Sequence, residues 1–206
     1  MQPTTAPDGG DFTAPAEASA TIEEIAGHIE AIIRLLGEDP AREGLLKTPM
    51  RAARALHFLT EGYRMDPATV VNGAVFSSSS TGMVIVRDIE FYSMCEHHIL
   101  PFFGKISIGY MPRGKVLGLS KFGRLVNLHA RRLQLQENLT RGIAGEISRA
   151  AESPDVIVMC EAGHMCMKMR GVEKELSETV TVESLGRFSS DPALRSEFFA
   201  MLGSQR

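Results

Sequence analysis

Between residues 83 and 185, strand-forming and helix-forming stretches alternate in pairs, and this order constrains the fold more than any other feature of the chain. Met83–Ile89 and Lys105–Met111 are rich in β-branched residues and are predicted as strands. Pro112–Lys115 reads as a turn after the second of them. Ser120 then offers an N-cap for a helix carrying Phe122, Leu125, Val126, His129 and Leu133, and a second helix carries Leu139, Ile143 and Ile147. Asp155–Ala162 and Ser177–Leu185 read as two further strands, and Asp191-Pro192 opens a last helix with Leu194, Phe198, Phe199 and Leu202. Two hairpins separated by a helix pair predict an α+β fold, with an antiparallel four-stranded sheet and helices on one face. Such a sheet keeps two open edges and one bare face, which association with other copies is one way to cover.

The segments ahead of the sheet differ in kind. Residues 1–20 are Pro-, Ala-, Thr- and Gly-rich with almost no large apolar side chains, and are expected to be a disordered tail. Residues 21–75 are expected to be a helical segment. Thr21 and Glu24 have capping-box spacing, Ile22, Ile25, Ile29, Ile32, Ile33 and Leu36 follow at helical period, and Gly37 suits a C-cap. Thr48-Pro49 then starts a second helix. Residues 76–206 hold the predicted sheet.

A chain of 206 residues with 44% hydrophobic content buries a sizeable core without help from disulfides or metals. The net charge of −3 argues against a general nucleic-acid binder. No apolar run is long enough to span a bilayer, and neither a secretory nor a transit signal is evident. Three cysteines make an odd count, which points to a reduced, cytoplasmic protein whose thiols pack, bind metal or react.

Chemistry-bearing residues fall in two groups. Cys95 and His98 stand at C-x-x-H spacing, and Cys166 comes much later beside His164. Together Cys95, His98 and Cys166 would make a Cys₂His zinc set with a fourth position open to water, leaving His97 and His164 free for proton transfer. Spacing alone leaves this reading and two unconnected His/Cys groupings both open. Cys160, inside an apolar strand, reads as a buried small hydrophobe. The second group is Ser120, Lys121 and Arg124 at a helix start, which suits an anion as well as it suits a capped helix with a solvated basic face. Gln136-Glu137 precedes the next helix; a carboxylate beside an amide can take two adjacent donors, such as those of guanine, or can simply be a solvated helix start. No P-loop or dinucleotide-binding glycine pattern is present.

These residues resemble the GTP cyclohydrolase I family. The resemblance is carried by Cys95-Glu96-His97-His98, Gly118-Leu119-Ser120-Lys121, Ala130–Glu137 and His164–Gly171, with Gly37–Pro40, Arg42–Leu46 and Thr48–Arg51 matching the N-terminal segment. It covers about residues 22–202, with several motifs in the family's order. It implies the tunnelling fold, an antiparallel sheet backed by a helix pair, assembled into a toroidal homodecamer of two pentamers with active sites at subunit interfaces; allostery in such an oligomer is left open. It implies conversion of GTP and water to 7,8-dihydroneopterin triphosphate and formate, the first step towards tetrahydrofolate or tetrahydropterin. By position, it makes Cys95, His98 and Cys166 the Zn2+ ligands and His97 and His164 the acid/base residues. Gln136 and Glu137 hold guanine, and Lys121, Arg124, Arg170 and Arg51 hold the triphosphate. Ser120 joins the catalytic set beside the ribose and α-phosphate. Asn138 and His129 depart from the family's usual residues, and His129 reads as a packing histidine. The competing readings are another tunnelling-fold pterin or deazapurine enzyme, and a non-catalytic paralogue that binds nucleotide or pterin.

Overall fold

The computed structural model describes residues 16–203, so most of the expected tail, residues 1–15, lies outside the described residues. The chain forms two compact units that divide between Phe58 and Leu59, while the sequence suggests a boundary after residue 75.

The first unit contains α1 (Ala16–Leu35) and most of α2 (Thr48–Leu59). Helix α1 starts ahead of Thr21, so residues 16–20 are helical rather than part of a tail. Three of those five residues are Ala, the strongest helix former. Ile22 and Ala26 of α1 are buried with Ala53 of α2, and Ile25 and Met50 pack beside them. Gly37 closes α1 as expected. With φ at +88°, it donates to the Arg34 carbonyl while Glu38 donates to that of Ile33, which is a Schellman cap.

The second unit begins with a 3₁₀ turn (Glu61–Tyr63) and α3 (Pro67–Val71), whose first turn is capped by Asp66. Strands β1 (Val75–Ser77), β2 (Val84–Cys95), β3 (Pro101–Tyr110) and β4 (Lys115–Leu117) follow, then α4 (Leu119–Ala130), β5 (Leu133–Gln134) and α5 (Gln136–Ala150). The chain continues through β6 (Val156–His164), α6 (Met165–Lys168), β7 (Thr179–Ser184), α7 (Arg187–Ser190) and α8 (Pro192–Gly203). The sheet order is β5-β2-β3-β6-β7. Its four long strands are antiparallel neighbours, as the sequence order predicts. The fifth strand, β5, runs parallel to the end of β2 and corrects the four-stranded expectation; two residues without β-branching carry no strand signal. β1 and β4 pair in a separate ribbon.

The helix pair covers one face. Phe122, Leu125 and Val126 of α4 and Leu139, Ile143 and Ile147 of α5 are fully buried against Ile106, Ile108 and Val158. Burying each such side chain stabilises by about 1.5–3 kcal/mol. On the other face Ile157 meets Phe188, Leu194 and Phe198 of the C-terminal helices, because neighbouring strand residues alternate sides. Asp191 caps α8 by accepting from the amides of Ala193 and Leu194. No described helix is long and apolar enough to cross a membrane.

His129 is indeed a packing histidine. It sits between α4 and α5, in space that a Cβ on Gly142 would occupy at 2.7 Å from its Nδ1. Its Nε2 is buried with no hydrogen-bond partner and lies 3.8 Å from the Glu146 carboxylate. Burial, reinforced by Arg132 and Arg149, depresses its pKa from 6.5 to about 4. Arg149 binds the same Glu146 carboxylate oxygen at 2.6 Å. The folded state therefore keeps His129 neutral where the unfolded chain would protonate it. The stabilisation is complete above about pH 6.5 and is lost as pH falls towards 4, by as much as about 3 kcal/mol per chain. His129→Leu should flatten that acid limb: between pH 7 and pH 5 its unfolding midpoint should fall less than that of the parent. Parallel falls would show that His129 does not titrate in this window.

Candidate active site

The ends of β2 and β6 meet at one corner of the sheet. Cys95 is the last residue of β2, and the chain turns back within five residues. The amides of His98 and Ile99 both point to the Cys95 carbonyl, and the Cys95 amide donates to Leu100. Ile99 takes the left-handed conformation, φ +53°, that lets so short a turn close. The turn brings His98 Nδ1 to 3.9 Å from Cys95 Sγ. Across β3, Phe102 pairs with His164 at the end of β6, and the short helix that follows carries Cys166. Donor atoms of Cys95, His98 and Cys166 all lie within 4.8 Å of one another. In a tetrahedral zinc site, bonds of about 2.3 Å to sulfur and 2.0–2.1 Å to nitrogen put such donors about 3.6–3.8 Å apart, so a small contraction seats the ion.

The donor chemistry fits a cation as well. The Cys166 thiol is held above its ordinary pKa, first by burial and then by the neighbouring Cys95 sulfur, while Arg170 pulls it down. Two thiolates so placed repel each other, and a bound divalent cation removes that repulsion. Cys160 is buried in β6, with its thiol pushed up to about 12 mainly by burial, as suits an inert packing residue.

These three side chains line a cavity of about 310 Å³ together with His97, His164, Gln134–Glu137, Met167 and Thr179. His97 is exposed, 4.0 Å from the Glu96 carboxylate. His164 stacks flat on Phe102, with ring centroids 4.6 Å apart and 3° between planes. Burial lowers its pKa, against a smaller opposite pull from Glu137. Glu137 is exposed in the first turn of α5, where a negative charge complements the helix dipole.

The other predicted residues are placed differently. Gln136 lines the cavity but is only 2% exposed. Its Nε2 donates to the carbonyls of Cys160 (3.0 Å) and Thr179 (2.9 Å), and its Oε1 meets His164 Nε2 at 2.8 Å. The amide is thus fully engaged within the protein. Ser120 is not the N-cap of α4: Gly118 takes that place, its amide tied to the Ala74 carbonyl beside the β1–β4 ribbon. Lys121 is buried and donates to the Val70 carbonyl at 3.0 Å. Ser120 and Arg124 are exposed on α4, Arg170 is exposed just after α6, and none of these four residues lines the cavity. Arg51 belongs to the first unit, 3.4 Å from the Thr48 hydroxyl. Phe102, Thr179 and Gln134 were not predicted; only the strand pairing brings them to the site.

Residues 25–203 match the family model described as GTP cyclohydrolase I. The GTP cyclohydrolase 1 of Chromohalobacter salexigens is 53% identical over 180 residues, 87% of this chain and 98% of its own. That of Alkalilimnicola ehrlichii is also 53% identical, over 87% of this chain and 97% of its own. A solved archaeosine synthase QueF-Like, in the apo form, is 23% identical over 52% of this chain and 97% of that one, with a TM-score of 0.42, too slight a likeness to bear on the fold.

Proposed function

This chain belongs to the GTP cyclohydrolase I family, and we propose that it is a zinc-dependent, cytoplasmic enzyme converting GTP and water to 7,8-dihydroneopterin triphosphate and formate. The observation that carries the reading is the convergence of Cys95, His98 and Cys166 at a cavity also lined by His97, His164 and Glu137. Cys95, His98 and Cys166 would hold the ion, and a zinc ion there supplies the Lewis acidity that makes water nucleophilic at neutral pH. His97 and His164 hold and pass protons at the purine ring nitrogen as its C–N bond opens, a task suited to imidazole near neutrality. Glu137 accepts from the N1–H and 2-amino groups of guanine. The Gln136 side chain has no free donor for the base, so that contact falls to Glu137. The test is incubation of metal-replete protein with GTP, with detection of formate and of a fluorescent pterin after oxidation. Neither product appearing would end the reading.

The triphosphate points to assembly. The cavity lining contains no Lys or Arg, yet a triphosphate that is bound and never cleaved needs cationic clamps. Ser120, Arg124, Arg170, Lys121 and Arg51 are therefore proposed to act at sites shared between subunits of a tunnelling-fold homodecamer of two pentamers. Co-expression of Cys166→Ser with Arg124→Ala chains tests this. Each variant alone should be nearly inactive, whereas mixed rings should recover about a quarter of parental activity, since random neighbours complete that share of two-subunit sites. No recovery in verified mixed rings would place both groups in one subunit's site.

A further inference from the structure

We propose that the Gln136 side chain is a positioning residue that holds His164 in the tautomer with its proton on Nε2, rather than a reader of the base. The inference rests on the proposed function for what His164 does, though not for how it is held.

The direction of the Gln136 amide is fixed by its neighbours. Its nitrogen faces two backbone carbonyls, Cys160 on β6 at 3.0 Å and Thr179 on β7 at 2.9 Å. A carbonyl only accepts, so both amide hydrogens are placed. The flipped amide would set its oxygen against two other oxygens inside a nearly closed site. Oε1 must therefore be the atom 2.8 Å from His164 Nε2. An amide oxygen has no hydrogen to give, so the proton between them belongs to Nε2. In the neutral ring, Nδ1 is then the free acceptor. Stacking on Phe102 holds the plane of the ring, and turning it over within that plane would put a carbon where Nε2 now meets the Gln136 oxygen.

The arrangement matters for proton transfer. An imidazole presenting a fixed acceptor delivers or takes a proton at one atom, whereas a ring free to exchange tautomers is correctly set only part of the time. Gln136 also ties α5 to β6 and β7, so a plain structural role must be separated from a positioning one. Thr181 offers that control: its hydroxyl lies 3.3 Å from Gln136 Nε2 and 2.6 Å from the Thr140 hydroxyl, so it meets the nitrogen of the amide and not the oxygen that holds His164.

The test uses zinc-replete, full-length protein labelled with ¹⁵N-histidine at about pH 8, above the ordinary histidine range. Ring-nitrogen resonances of His164 are assigned by their loss in His164→Gln. The parent should show Nε2 protonated and Nδ1 bare, as should Thr181→Val, with kcat close to the parent's. Gln136→Met keeps length and volume but replaces the amide oxygen with a thioether, at most a weak acceptor. It should lose the tautomer preference and lower kcat about 10- to 100-fold, the usual cost of losing a partner that orients a functional histidine, with KM for GTP and zinc content near those of the parent. A proton on Nδ1 in the parent overturns the proposal whatever the variants do, and so does a Gln136→Met protein with parental kcat. Equal losses of kcat in Gln136→Met and Thr181→Val would assign the cluster a structural role. The tautomer is read without turnover, so a parent that shows the tautomer but no GTP turnover overturns the proposed function and leaves the positioning role standing.

Discussion

Cys95→Ser and Cys166→Ser proteins are expected to emerge from purification without stoichiometric zinc and without measurable GTP turnover, while remaining folded. Each thiolate would be one of the three protein ligands proposed for the ion, and the serine hydroxyl that replaces it stays protonated and binds zinc poorly. A two-ligand remnant cannot hold the ion against dilution. Although Cys95 is part of the core and Cys166 packs against it, the fold should survive, because both changes are nearly isosteric and most of that core is formed by Phe122, Leu125, Ile143 and their neighbours on the sheet. Elemental analysis beside circular dichroism reads both halves. Full zinc occupancy in both variants would remove these residues from the metal site. A related expectation follows from the raised Cys166 thiol: zinc binding must displace its proton, so occupancy should fall as pH is lowered.

The sequence is most informative where its signals are local and repeated. The four long strands are predicted because β-branched residues mark them, and α4 and α5 because apolar residues recur at helical period, so the α+β arrangement follows from their order. From spacing alone the metal set is one of two open readings, joined only by the family resemblance, since nothing local says that the end of β2 and the end of β6 lie side by side. Their meeting depends on the pairing of Phe102 with His164, a tertiary fact. Strand β5 was invisible because its two residues are held by the end of β2 and not by their own preference. Gln136 is the sharpest instance. Its position in the family motif marks it as a site residue, but the direction of its amide depends on two carbonyls from distant strands. Lys121 is similar: it reads as a free cation, yet within the chain it is buried against Val70. Side chains that act through tertiary partners are the ones a one-dimensional pattern assigns least well.

Base choice should rest on Glu137, and Glu137→Gln should damage GTP turnover severely while leaving zinc in place. Among the residues lining the cavity, Glu137 is the sole carboxylate. It stands in the first turn of α5, one residue from Gln136, whose amide is already committed to Cys160, Thr179 and His164. A carboxylate offers two acceptors side by side, and guanine offers the matching N1–H and 2-amino donors. Inosine lacks the 2-amino group, and adenine presents neither donor there. Once a bound base covers this exposed carboxylate, an acceptor left unpaired costs about 1–3 kcal/mol, and more when charged. GTP should therefore exceed ITP by at least about tenfold in kcat/KM, since 1.36 kcal/mol is tenfold, and ATP should be used far less. Glu137→Gln keeps the shape but turns one acceptor into a donor that faces another donor, so the loss should fall on GTP and be smaller for ITP, which presents one donor fewer. Steady-state kinetics on the three nucleotides, with zinc measured on the same preparations, separates a base-reading defect from a metal defect. Equal use of GTP and ITP by the parent, or an undiminished Glu137→Gln enzyme, would mean that backbone groups and not this carboxylate read the base.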